Sequence, residues 1–311
     1  MDMYPKGLSD VGGGCHAWLQ PDGGWGWSNA GLITGAGASM LVDTLFDLAT
    51  TGDMLDGMAA ITDRSPLRTL VNTHSDGDHW FGNQLVADRD VEIVASEAAA
   101  AMMTQESVDE LAALKRADGQ LGDFARAIFG PFDFEDITSA GPTRTFSGKL
   151  GIDVGGREVR LIQVGPAHTS GDVLVHVPDA KLMFAGDILF IGGTPIIWAG
   201  PAQRWIAACD LLLDLDLDVI VPGHGPLTDK SGVHEVRDYL QFVLGEATKR
   251  FEDGLDVGAA IASIDLGKYA KLSEFGRLAQ NVVNVYRSLD PDAPLPSTTE
   301  VLEYMATLEG F

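Results

Sequence analysis

The chain has 311 residues, 45% of them hydrophobic, with 21 Lys and Arg against 45 Asp and Glu, a formal net charge of −24. That acidity repels phosphate backbones and argues against nucleic-acid processing, while the apolar content excludes a disordered chain. No apolar run reaches the roughly 20 residues that span a bilayer. The start, Met1–Gly7, lacks the basic and apolar regions of a secretion leader. Cys15 and Cys209 are too few for a disulfide framework. The expectation is a cytoplasmic protein acting on small molecules, with no nucleic-acid or membrane partner.

In chain order, Cys15–Gln20 reads as a short strand and Pro21–Gly24 as a turn. Asn29–Thr34 and Ser39–Asp43 read as strands about the turn Gly35–Gly37. Leu45 to Ala60 carries apolar residues at helical spacing. Arg68–Asn72 predicts a buried strand and Val91–Ala95 another. Ser96–Phe129, rich in Ala and Met, predicts one long helical stretch opened by Ser96, with Met102, Leu111, Leu114 and Phe129 facing core or pocket. Ile152–Val154 and Arg157–Gln163 form a hairpin about Gly155 and Gly156. Val173–Val177, Lys181–Ala185 and Val219–Val221 are strands, and Ala202–Leu215 is a helix. Beyond Val233 the pattern is helical, strongest over Asp238–Glu252 and Glu274–Leu289. Two successive βα halves predict a layered α/β sandwich with helices outside.

Between Asn72 and His79 the chain places His74, Asp76, Asp78 and His79 within six positions, just after an apolar run. Four such side chains are costly to desolvate together unless a cation holds them. His168, Asp187 and His224 each follow or end a β-like run and lie near Gly or Pro. That pattern puts ligands on loops along one sheet edge, held by a rigid scaffold. Two adjacent metal positions are the chemistry it points to. Asp43, at a strand end, reads as a supporting residue, and Thr169 and Asp172 as groups that orient the imidazoles.

The series resembles the metallo-β-lactamase superfamily, whose first motif is His-x-His-x-Asp-His, followed by a His, an Asp or Cys, and a last His. His74, Asp78, His79, His168, Asp187 and His224 match in order, and Asp76 stands where the second His would be. The likeness covers about residues 9–230. It implies an α/β fold, a four-layer αβ/βα sandwich. Residues 1–232 would form the catalytic domain, with a helical insertion at about 96–130, and 233–311 a helical extension packed on it. It also implies that His74, Asp76 and His168 hold a first metal, that Asp78, His79 and His224 hold a second, and that Asp187 bridges them. Zinc is the first expectation. Two imidazoles with a carboxylate also suit iron, and manganese is a further choice. The activity implied is hydrolysis of an ester-type bond, a thioester or lactone, by water activated on the metals, with Asp78 orienting it.

Trp25, Trp27, Trp80, Phe190, Ile196 and Trp198 lie near the motif residues in sequence and predict a pocket for an apolar or aromatic substrate, free or carrier-bound. No Arg or Lys is placed as a phosphate or sulfate clamp, Arg204 being nearest. Val42–Asp47, His74–Trp80 and Gly192–Trp198 are similar to segments of bacterial second-ring cyclase/thioesterases of aromatic polyketide pathways. That likeness implies an alternative in which the metals stabilise an enolate. Asp76 motivates two others, an iron-dependent oxidoreductase and a non-catalytic metal-binding protein. The C-terminal helices are expected to cap the pocket or to form the face of a homodimer.

Overall fold

Alternating buried positions build two sheets whose inner faces meet. The computed structural model describes residues 4–87 and 89–311; Met1–Met3, the first part of the segment read for a leader, lie outside the described residues. The first sheet runs, in spatial order, β1 (Gly7–Gly12), β2 (Cys15–Leu19), β3 (Ala30–Gly35), β4 (Ala38–Val42), β5 (Leu67–Val71), β6 (Glu92–Ser96) and β7 (Arg144–Phe146). Its first four strands are an antiparallel meander, and β4 to β7 are parallel. The second sheet comprises β8 (Lys149–Val154), β9 (Arg157–Gln163), β10 (Val173–Val177), β11 (Leu182–Phe184) and β12 (Val219–Val221). It is antiparallel except for the parallel pair β11 and β12.

Period-two alternation sends Cys15, Ala17 and Leu19 inward against Val173, Val175 and Val177 of the second sheet. Gly31 sits at a close approach of the two sheets. A Cβ there would lie 2.1 Å from a ring carbon of Phe184, so no larger residue fits. On the outer face of the first sheet, Leu41 and Leu70 pack under Met54 and Met58 of α1 (Leu48–Thr62). Three short pieces follow along that half, α2 (Gln84–Ala87), α3 (Glu97–Ala100) and α4 (Gln105–Arg116), then α5 (Gly119–Phe129). The second sheet is covered by α6 (Ala202–Asp214), α7 (Lys230–Glu252), α8 (Val257–Ser263), α9 (Leu278–Leu289) and α10 (Thr298–Leu308). Their apolar faces share one buried cluster with Leu174, Met183 and Ile220. The layers are therefore helix, sheet, sheet, helix, as the resemblance implied. Among the described residues no helix is long and apolar enough to cross a membrane.

Local chemistry explains where the elements depart from expectation. The stretch 96–129 breaks into three helices. Thr104 caps α4 by accepting the Ser107 N–H, Ala117 and Asp118 are extended, and Gly119 has φ +78°. Met102 falls in the first break and is 55% exposed, facing neither core nor pocket. Helix α1 begins at Leu48 because Asp47 accepts the Thr50 N–H, which frees Leu45 and Phe46 for the interior. Helix α7 begins at Lys230, eight residues before the predicted Asp238, since Asp229 accepts the Ser231 N–H. Strand β1 was not predicted. Its Gly-Leu-Ser-Asp-Val-Gly sequence has no apolar alternation, as befits an edge strand.

Candidate metal centre

The seven motif residues come to one rim, at the carboxyl ends of β5, β11 and β12 and on the turn joining β9 to β10. Strand β5 delivers His74, and a turn of 3-10 helix over Gly77–His79 brings Asp78 and His79 round. Asp187 follows β11 and His224 follows β12. Gly223 is required there, since a Cβ would meet Asp187 Oδ1.

Each imidazole spends its Nδ1 on the protein and turns Nε2 inward. His168 Nδ1 donates to the Ile196 carbonyl at 2.7 Å and His224 Nδ1 to the Gly23 carbonyl at 3.1 Å. His79 Nδ1 lies 2.9 Å from Asp43 Oδ2. His74 Nδ1 lies 3.0 Å from Thr73 Oγ1, whose own hydrogen is given to Asp43. Carbonyl and carboxylate acceptors keep a proton on Nδ1, so Nε2 is the nitrogen that offers a lone pair once it gives up its own proton, the tautomer a metal needs. Asp187 sits at the centre, its oxygens 3.7 Å from His74 Nε2, 3.0 Å from His79, 3.4 Å from His168 and 3.4 Å from His224. Asp76 Oδ2 is 3.1 Å from His168 Nε2, and Asp78 Oδ2 is 3.2 Å from His224 Nε2. Two donor groups result: His74, Asp76, His168 and Asp187, then Asp78, His79 and His224. His74 Nε2, His79 Nε2 and Asp187 Oδ1 are buried with no hydrogen-bond partner. Buried orphans of this kind are rare unless something else engages them, so the donors fit a pair of divalent ions.

Electrostatics agree. Burial pushes every imidazole down, yet the Asp76 and Asp187 carboxylates raise His168 to about 9, and Asp187 with Asp78 raises His224 to about 10. His74, buried and beside the His79 imidazole, is held well below the usual histidine value. Protons thus occupy, on His79, His168 and His224, the place a cation would take. At pH 7, loading of divalent metal at both positions is expected to release about three protons. Lower pH therefore weakens binding. Calorimetry in buffers of different ionisation enthalpy reads the number, and zero release at pH 7 would contradict this arrangement.

One residue behind the donors holds the Asp76 carboxylate. Trp198 Nε1 donates to Asp76 Oδ2 at 3.1 Å, steadying the carboxylate that replaces the motif's second His. Trp198→Phe is expected to weaken the first metal position by about 10- to 100-fold, read by chelator competition, with the second position little affected. Asp172 accepts the N–H groups of Ala167 and Thr169 and the Thr169 hydroxyl, which holds the His168 turn. Burial raises its carboxyl to about 6.

Over the donors opens a cavity of about 560 Å³. Trp25, Phe190, Ile196 and Trp198 line it. Trp27 and Trp80 do not line it. The 3-10 turn carries Trp80 inward, fully buried with its indole N–H on the Ser75 carbonyl, and presents Phe81 to the cavity in its stead. Trp27 turns away to pack on Phe132, ring centroids 4.7 Å apart. Phe129, read from sequence as facing core or pocket, lines the cavity, and so does Phe46, which the sequence reading did not single out. Arg204 is exposed, and Arg277 is the basic residue that lines the cavity. Nothing in the run Phe275-Gly-Arg-Leu278 signals that placement.

The sequence matches the family description "Metallo-beta-lactamase superfamily" over residues 23–224. The alpha subunit of 2,4-dinitroanisole O-demethylase from Nocardioides sp. (strain JS1661) is 29% identical over 199 residues, 62% of this chain and 51% of that protein. Linear primary-alkylsulfatase from Pseudomonas sp. (strain ATCC 19151) is 23% identical over 310 residues, 86% of this chain and 58% of that protein. The solved structure of a stereoselective inverting sec-alkylsulfatase from Pseudomonas sp. superposes with TM-score 0.68 at 19% identity, covering 94% of this chain and 52% of that one, a likeness of fold alone. The chain spans about half the length of these relatives.

Proposed function

The chain belongs to the metallo-β-lactamase superfamily, and we propose that within it the protein is a dinuclear metal-dependent hydrolase of an ester-type bond, a thioester or lactone, in an aromatic or aliphatic substrate. The observation that carries this reading is the pair of His/Asp donor groups at the floor of an apolar, aromatic-walled cavity. His74, Asp76, His168 and Asp187 would hold one ion and Asp78, His79 and His224 the other, with Asp187 Oδ1 3.0 Å from His79 Nε2 linking the groups. When bound, such ions lower the pKa of water to about 7 and polarise a carbonyl for attack.

The protein's own residues do the rest. Asp78 lines the cavity and stays ionised: burial pushes its carboxyl up, but the His79 and His224 imidazoles outweigh that and lower it. Its Oδ2 is placed to orient an attacking water and to hold the proton that water gives up. Trp25, Phe46 and Phe129 shut bulk solvent from the reacting bond and hold the apolar body of the substrate. A relative named for an alkyl sulfate supports hydrolysis of an ester-type bond.

Zinc is the proposed metal. Asp76 beside two imidazoles favours iron or manganese as the alternative, with oxidoreductase chemistry if iron. A second reading, a cyclase/thioesterase acting on an aromatic polyketide, is favoured by the size and aromatic walls of the cavity. Metal analysis of protein purified without added metal, with turnover of aryl thioesters, lactones and a polyketide-like thioester before and after chelation, tests these together. Zinc with chelator-sensitive ester turnover is expected. Iron with redox-dependent absorbance and no ester turnover would overturn the hydrolase reading.

A further inference from the structure

Arg277 enters the cavity from the C-terminal part of the chain, just before α9, and is 2% exposed. It is the only Lys or Arg among the described residues that line the cavity, where the carboxylates are Asp76, Asp78, Glu110 and Asp187. In a protein of net charge −24 a buried guanidinium in that position needs a reason. Its internal partners account for part of it. One terminal nitrogen, Nη1, donates to the Thr194 carbonyl at 2.9 Å, and Nη2 lies 2.9 Å from Glu274 Oε2. Glu274 is itself shared, since its Oε1 accepts the Trp25 N–H at 2.6 Å. Arg277 Nε is buried with no partner. A guanidinium has five N–H donors in a planar fork, so the structural pairing leaves donors unused.

Position adds a direction. The guanidinium lies 4.0 Å from the Trp25 ring centroid and 5.2 Å from that of Phe190. Phe190 in turn stacks on His224, centroids 5.1 Å apart and planes at 6°. The order Arg277, Phe190, His224 therefore sets a cation one aromatic ring away from an imidazole of the donor cluster.

We infer that Arg277 makes the cavity selective for substrates that carry a carboxylate at a distance of about one ring from the reacting bond. The fork geometry matches a planar carboxylate, and the Trp25 and Phe190 faces hold the guanidinium in place. The reacting bond is the one named by the hydrolase reading, on which this inference rests.

Matched aryl thioesters, one ending in a carboxylate and one in a carboxamide, test it on the metal-loaded protein. The wild type is expected to prefer the carboxylate. Arg277→Gln is expected to reduce that preference by roughly 10- to 100-fold, chiefly through KM. Arg277→Lys keeps the charge without the fork and is expected to retain part of it. Glu274→Gln removes the competing carboxylate and is expected to increase it. No preference in the wild type, or equal losses on both thioesters in Arg277→Gln, would overturn the inference while leaving the hydrolase reading intact. If Arg277→Gln does not fold, an unchanged preference in both Arg277→Lys and Glu274→Gln has the same force. If neither thioester is cleaved, the thioester form of the hydrolase reading falls. The same compounds are then stable ligands, and their dissociation constants across these variants decide the inference on its own.

Discussion

Asp187→Ala is expected to empty the metal centre and to lower kcat/KM by at least about 10³-fold, the equivalent of several kcal/mol of lost transition-state charge stabilisation. Asp187 is the one group that approaches all four imidazoles, and burial alone would raise its carboxyl. The surrounding histidines, His224 first, reverse that and hold it well below the usual carboxylate range. Its loss removes negative charge from both donor groups at once. Asp187→Asn keeps the shape and isolates the charge, so the two variants should fail alike. Metal content by mass spectrometry and ester turnover give the result; a variant that still carries two ions at full occupancy would sink the central role assigned to Asp187.

A second large effect is expected away from the donors. Asp43 accepts the Thr73 N–H and hydroxyl at 2.7 Å each and faces His79 Nδ1 at 2.9 Å, with its side chain fully enclosed. Burial raises its carboxyl and the His79 imidazole opposes that. Its backbone has φ +62°, a left-handed conformation that costs a residue with a Cβ about 1 kcal/mol or more. Asp43→Ala keeps the strain and breaks the buried pair, so a loss of about 3 kcal/mol in unfolding free energy is expected, with metal affinity down about 10- to 100-fold. Asp43→Gly breaks the same pair but relieves the backbone, and should recover about 1 kcal/mol of that stability and none of the affinity. Denaturant melts and metal titrations separate the two contributions. Equal stability of the two variants would show that the φ value stores no strain.

Part of this was legible in one dimension. The motif from His74 to His79 is local, and the later ligands each sit beside a strand that period-two alternation reveals, so their meeting at one rim follows from how strands deliver loops. The layer order follows from the same alternation. The broken helix between Ser96 and Phe129 was less legible, because Thr104 and Gly119 interrupt a run whose apolar content still reads as continuous. The direction of Trp80 was not legible at all: a single 3-10 turn rotates it into the core and Phe81 into the cavity.

What the sequence by itself determined is the local His/Asp motif from His74 to His79 and the alternation that layers sheet on sheet, since both depend on neighbours a few positions apart. The tertiary structure alone decided which rings wall the cavity and which charge enters it. Trp25 and Glu274, 249 positions apart, are joined by one hydrogen bond, and Arg277 reaches Trp25 from the same distant segment. Such pairings are set by how helices pack on a finished sheet, and no local pattern of residue types encodes them.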